Sequence, residues 1–63
     1  MDKKLMEQRV RQVLALDQNA YDIYSKLALL AQTQKIKSTL LAIAADEKMH
    51  IKSGNEILKL ILV

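Results

Sequence analysis

The sequence predicts an all-α chain: an antiparallel two-helix hairpin that pairs with a second copy into a four-helix bundle. Three observations carry this. Apolar residues recur with an alternating four-three step along two long stretches. The 63 residues hold no proline and one glycine, so little interrupts either stretch. Between them lies one short polar segment, Gln32-Thr33-Gln34-Lys35, which turns the chain back on itself. Residues 1–63 thus form a single small domain.

Asp2 is suited to cap the first helix, which is expected over about residues 3–32 and is roughly 45 Å long. Its stripe is Met6, Val10, Val13, Asp17, Ala20, Tyr24, Leu27 and Ala31. The turn follows without glycine or proline. Thr33 is suited to cap the second helix, expected over about residues 34–62. That stripe is Ile36, Leu40, Ile43, Glu47, His50, Gly54, Ile57 and Ile61. Gly54 weakens the helix interior, and close packing is a better reason for it than a hinge.

Folding the chain about residues 33 and 34 sets partners by level. Ala31 faces Ile36, Leu27 faces Leu40, Tyr24 faces Ile43, Ala20 faces Glu47, and Asp17 faces His50. Further apolar residues flank both stripes: Leu14, Leu16, Ile23 and Leu30 on one helix, Leu41, Ala44, Ile51, Leu58 and Leu62 on the other. One hairpin cannot cover so wide a surface. Small chains of this kind need a staple, a metal or self-association, and a two-fold dimer closes the bundle most simply.

The stripes are interrupted by Asp17, Glu47 and His50. Ionisable groups in an apolar seam are unfavourable unless paired or coordinated. Three at one level suggest a metal, and two-fold symmetry would assemble four carboxylates and two imidazoles around one cavity. The i, i+3 spacing puts Glu47 and His50 on one helical face. Iron(II) and manganese(II) take carboxylate oxygen and imidazole nitrogen, and zinc accepts the same donors.

Composition excludes other classes. Without cysteine there is no disulfide framework and no thiolate-held zinc or iron–sulfur cluster. The apolar runs are short and broken by charge, so no transmembrane helix is expected. The charged N-terminal stretch lacks the apolar core of a signal peptide. A cytoplasmic location is the default. The net charge is +3, and Lys3, Lys4, Arg9 and Arg11 cluster near the start. They read as a solvated helix end. Tyr21 and Tyr24, the only aromatics, make no base-stacking platform, so no nucleic-acid partner is expected.

Glu47-Lys48-Met49-His50 resembles the E-x-x-H element of ferritin-like di-iron carboxylate proteins. Asp17-x-x-Ala20-x-x-x-Tyr24 resembles that superfamily's E-x-x-A-x-x-x-Y on the partner helix. Rubrerythrins and ferritins carry four helices in one chain. With two, this chain is most similar to the two-helix encapsulated-ferritin-like group. The resemblance implies a ferritin-like four-helix bundle of two chains with an inter-subunit di-iron site, in a homodimer or higher homo-oligomer. It implies a ferroxidase, an oxidoreductase that oxidises Fe(II) with dioxygen or peroxide for iron storage or detoxification. Glu47 would bridge or chelate and His50 would bind terminally. Asp17 stands where the family has glutamate, and its shorter reach suits a terminal role. Asp46 would hydrogen-bond the other ring nitrogen of His50, or be solvated. Tyr24 would be a hydrogen-bond donor beside the site, a weak ligand, or an ordinary core tyrosine. A location inside an encapsulin shell would follow too, but Ile57 to Val63 reads as the helix end and not as a targeting tail. Against all this stands a metal-free dimerisation or scaffold module, or a fragment of a larger protein. There Glu47 and His50 pair only with each other, and Asp17 fixes the register.

Overall fold

The computed structural model describes residues 2–63. Two helices make up almost all of it: α1 at Lys3–Leu29 and α2 at Gln34–Leu62. They pack antiparallel in a rod of 47 × 14 × 13 Å, a single helix pair wide and one helix thick.

Each start is set by a side chain that takes up orphan backbone donors. Asp2 is extended, and its carboxylate accepts from the Lys4 N–H at 3.0 Å and the Leu5 N–H at 3.2 Å. Thr33 is extended too, and its hydroxyl accepts from the Ile36 N–H at 3.2 Å. Lys26 and Lys59 lie in the last turns, where positive charge suits the helix dipole.

The first helix ends earlier than expected, at Leu29 and not near residue 32. Thr33 must be extended to cap α2, so the chain has to leave α1 before it. The exit tightens into i to i+3 bonds, with the Leu30 N–H donating to the Leu27 carbonyl and the Ala31 N–H to the Ala28 carbonyl. The turn is therefore Leu30 to Thr33, and Gln34 and Lys35 belong to α2. Among the described residues none has a positive φ, which is why this turn needs no glycine.

The seam between the helices is one residue out of phase with the expected stripes at alternate positions. Ala28, Ala44 and Leu58 are its buried residues. Along α1 it runs through Glu7, Val10, Leu14, Asp17, Tyr21, Tyr24, Ala28 and Ala31. Along α2 it runs through Leu40, Ala44, Glu47, Ile51, Gly54, Leu58 and Ile61. Leu14 thus replaces Val13, Ala28 replaces Leu27, Ala44 replaces Ile43, Ile51 replaces His50 and Leu58 replaces Ile57. The physical reason is that apolar residues come in adjacent pairs here, so each helix carries two usable stripes. Ala28 and Ala44 are the most deeply buried of these residues, at 3% and 4% exposed.

The stripe that the seam does not use is only partly covered, with Met6, Ala20 and Ile43 half-buried. Val13, Leu27, Ile36 and Ile57 are between 42% and 54% exposed. Val13, Leu27 and Ile57 each lie one residue before a seam position, and Ile36 continues the same stripe one heptad before Ile43, which in an antiparallel pair puts all four on the same side of the hairpin. With Leu16 and Ile23, also exposed, they form one open apolar face. The accessible surface is 5118 Å², about 1,000 Å² more than a globular chain of this mass presents.

Two contacts fix the register of the helices between mid-length and the open end. A Cβ on Gly54 would lie 2.5 Å from Leu14 Cδ2, so the glycine serves close packing in the seam. At the open end the Lys3 ammonium donates to the Val63 carbonyl at 3.2 Å. Among the described residues no helix is long and apolar enough to cross a membrane.

Candidate metal centre

Asp17 and Glu47 are seam residues on the side that faces the open apolar surface, and His50 lies one helical turn from Glu47 on that surface. The antiparallel pairing brings the three to one height at mid-length of both helices. One ligand atom from each lies within 4.8 Å of the other two. His50 Nδ1 is 3.8 Å from Glu47 Oε1, too long for a direct hydrogen bond. His50 keeps 61% of its side chain exposed, and Glu47 keeps 19%. The constellation is thus wet on the histidine side and dry on the glutamate side.

Glu47 carries the electrostatic tension. Its Oε2 is shielded from solvent and has no hydrogen-bond partner among the described residues. Burial raises its carboxyl above the ordinary glutamate range. The neighbouring Asp17 carboxyl raises it further. His50 pulls the other way, and Asp46 adds a last push upward. A desolvated carboxylate oxygen with no hydrogen-bond partner thus stands beside a second carboxylate and an imidazole. The chemistry of the set fits iron(II), manganese(II) or zinc.

Tyr24 lies two turns from Asp17 along α1, half-buried, with no side-chain hydrogen bond among the described residues. Asp46 is exposed, and no hydrogen bond joins it to His50 among the described residues. Beside the constellation, toward the open end, lies a groove of about 460 Å³. Val10, Val13, Gly54 and Ile57 make its apolar walls, and Asp17 and His50 close one end. Arg9 and Ser53 also line it. Sequence reasoning gave neither a role, although Ser53 follows His50 by three residues and so shares its helical face. Arg9 was grouped with the solvated N-terminal charges.

Compared with protein-family models, curated proteins and solved structures, the chain matches none.

Proposed function

We propose that the chain is a metal-binding protein of the ferritin-like di-iron carboxylate kind, with Asp17, Glu47 and His50 as ligands and Fe(II) as substrate. The observation that carries this reading is the convergence of three donor atoms within 4.8 Å around an unpartnered Glu47 oxygen. One hairpin supplies three donors, which is half of what two metal ions take up in such proteins. Two hairpins joined on their open faces supply the full set.

In this reading Glu47, whose Oε2 is shielded from solvent, would be shared between two ions, and His50 and Asp17 would each hold one. Two Fe(II) ions each give up one electron. Dioxygen takes both electrons with two protons and leaves as hydrogen peroxide. With peroxide as oxidant, the same two electrons and two protons yield two waters. The half-wet position of His50 gives the substrate ion a way in, and the apolar surroundings strengthen its attraction to the carboxylates.

Anaerobic loading with Fe(II) followed by metal analysis tests the site, and about one iron per chain is expected. On exposure to air a ferric absorbance should grow, and Glu47→Ala and His50→Ala should each remove it. The breadth of the open apolar face favours a second reading, a metal-free dimerisation module. A dimer that takes up no iron, zinc or manganese would establish that reading in place of the first.

A further inference from the structure

The side of the hairpin opposite the open apolar face is made of the residues that directly follow a seam position. From the height of Asp17 and Glu47 to the open end, its charged residues are Arg11, Lys48, Lys52 and Lys59, and Lys4 stands one heptad before Arg11. All are cations and all are exposed. Between them stand Gln8, Ala15, Gln18 and Asn55, and Leu62 closes the tip. From the same height to the turn, the one charged residue among those described on this side is an acid, Asp22. The positive charge of this side is thus gathered along half of its length.

The register interleaves these cations. Leu14 meets Gly54 and Lys3 meets Val63. Lys59 therefore falls between Lys4 and Arg11, and Lys52 and Lys48 follow beyond Arg11. At 1.5 Å per residue the row spans about 22 Å, with one cation every 5–6 Å or so. Little on the chain neutralises it. Among the described residues Arg11 has Glu7 at 3.7 Å, and the four lysines of the row have no carboxylate partner. Asp2 is committed to capping α1, and Glu56 lies two residues past Gly54, on the outer edge of α2. Lys4 sits in the first turn of α1, which holds no acid and where the helix dipole disfavours a cation. Lys4, Gln8 and Arg11 line a shallow hollow of about 440 Å³ with Asp2, Leu5 and Glu7. Such a row repels itself, and a polyanion laid along it relieves the repulsion.

The residues around the row select the polyanion. Tyr21 and Tyr24 are in the seam, so bases find no ring to stack on here, and single strands lose their usual hold. The lack of a stacking platform speaks against base contacts and not against phosphate contacts. No apolar side chain larger than alanine stands between the cations, so a bilayer would bury little on this side. What remains are ammonium and guanidinium groups with the amides of Gln8, Gln18 and Asn55, all of them donors to phosphate oxygens. We propose that this side of the hairpin binds the sugar–phosphate backbone of a nucleic-acid duplex, without reading its sequence. The binding rests on the hairpin and its register, not on a metal. The row also stays exposed when two hairpins join on their open faces, so each chain of a dimer offers its own.

The test follows the chelator-treated full chain binding a fluorescent mixed-sequence DNA duplex, by anisotropy, between about 50 and 200 mM salt. With four to five phosphates neutralised per row, log K should fall against log salt with a slope of about −4, a loss of about 250-fold over that range. Lys52→Gln with Lys59→Gln should bring the slope to about −2 and the loss to about 20-fold. Arginine at both positions should restore the parent slope. Lys35→Gln with Lys37→Gln removes the same charge near the turn and should leave the slope unchanged. Circular dichroism checks that each variant keeps its helix content. An RNA duplex run in parallel names the source, since tighter binding of either duplex keeps the phosphate row as the ligand. No duplex binding at the lowest salt would overturn the proposal. Equal loss of slope from the two lysine pairs would overturn it too, because it would reduce the attraction to net charge. So would tighter binding to a single strand than to the duplex, or binding to anionic phospholipid vesicles and to neither duplex.

Discussion

Replacing Gly54 with alanine sets two effects of known size against each other. Glycine inside a helix is less favourable than alanine by about 1 kcal/mol, so on an open helix face the change would stabilise. Here the new methyl would stand 2.5 Å from Leu14 Cδ2 and 3.0 Å from Leu14 Cγ. The terminal methyl can swing away. Cγ moves only if Leu14 changes its first side-chain torsion or the helices part. Overpacking of this sort costs about 1–3 kcal/mol. The net expectation is a loss of about 1 kcal/mol, or roughly 4–8 °C in Tm for a chain this small. Urea denaturation at matched protein concentration measures it, since association adds to apparent stability. In a Leu14→Ala background the obstacle is gone, and Gly54→Ala should then stabilise by about 1 kcal/mol. The coupling between the sites is therefore about 2 kcal/mol. A full gain of about 1 kcal/mol for Gly54→Ala in the parent would refute the reasoning. It would mean that the helices do not approach closely at this height.

Glu47 predicts a pH dependence in the metal-free protein. Its folded value is raised, so between the ordinary glutamate value and the raised one the folded chain holds a proton that the unfolded chain has released. Stability contributed by that proton is complete below the window and is lost as pH rises through it. Glu47→Gln should flatten this fall in chelator-treated protein, and equal slopes for parent and variant would count against the burial of the carboxyl. Metal binding should run the opposite way, weakening as pH falls and protons compete for the donors. Asp17→Glu should tighten metal binding or speed iron oxidation, because one more methylene extends its reach. Asp17→Ala should do less harm than Glu47→Ala. The assigned roles fail if Asp17→Ala abolishes oxidation and Glu47→Ala leaves it intact.

The two helices, the Asp2 and Thr33 caps and the common height of Asp17, Glu47 and His50 were legible in the residues alone. Unbroken periodicity and a short turn leave few alternatives, and the level of each residue follows from counting back from the turn. The phase of the seam was not legible. Val13 beside Leu14, Leu27 beside Ala28, Ile43 beside Ala44 and Ile57 beside Leu58 offer two stripes of similar hydrophobicity. Periodicity cannot say which stripe the hairpin uses for itself. Packing decides it: the close approach of Leu14 to Gly54 belongs to the stripe that holds Ala28, Ala44 and Leu58. The end of α1 was misjudged for a related reason. Leu30 and Ala31 suit a helix, but the extended backbone that Thr33 needs for capping pulls them out of it. The distinction between the dry side of Glu47 and the wet side of His50 depended on that same phase.

The turn from Leu30 to Thr33 uses only backbone conformations open to any residue, and at the far end Lys3 touches the carbonyl of Val63. The covalent order of the two helices is therefore nearly interchangeable. A gene that joins the Val63 end to the Asp2 end through a short flexible linker and opens the chain at the turn would encode α2 before α1, with the same seam and the same three donors at mid-length. The loop is therefore the natural place for inserted sequence, and the two stripes are the part that any reordering has to keep.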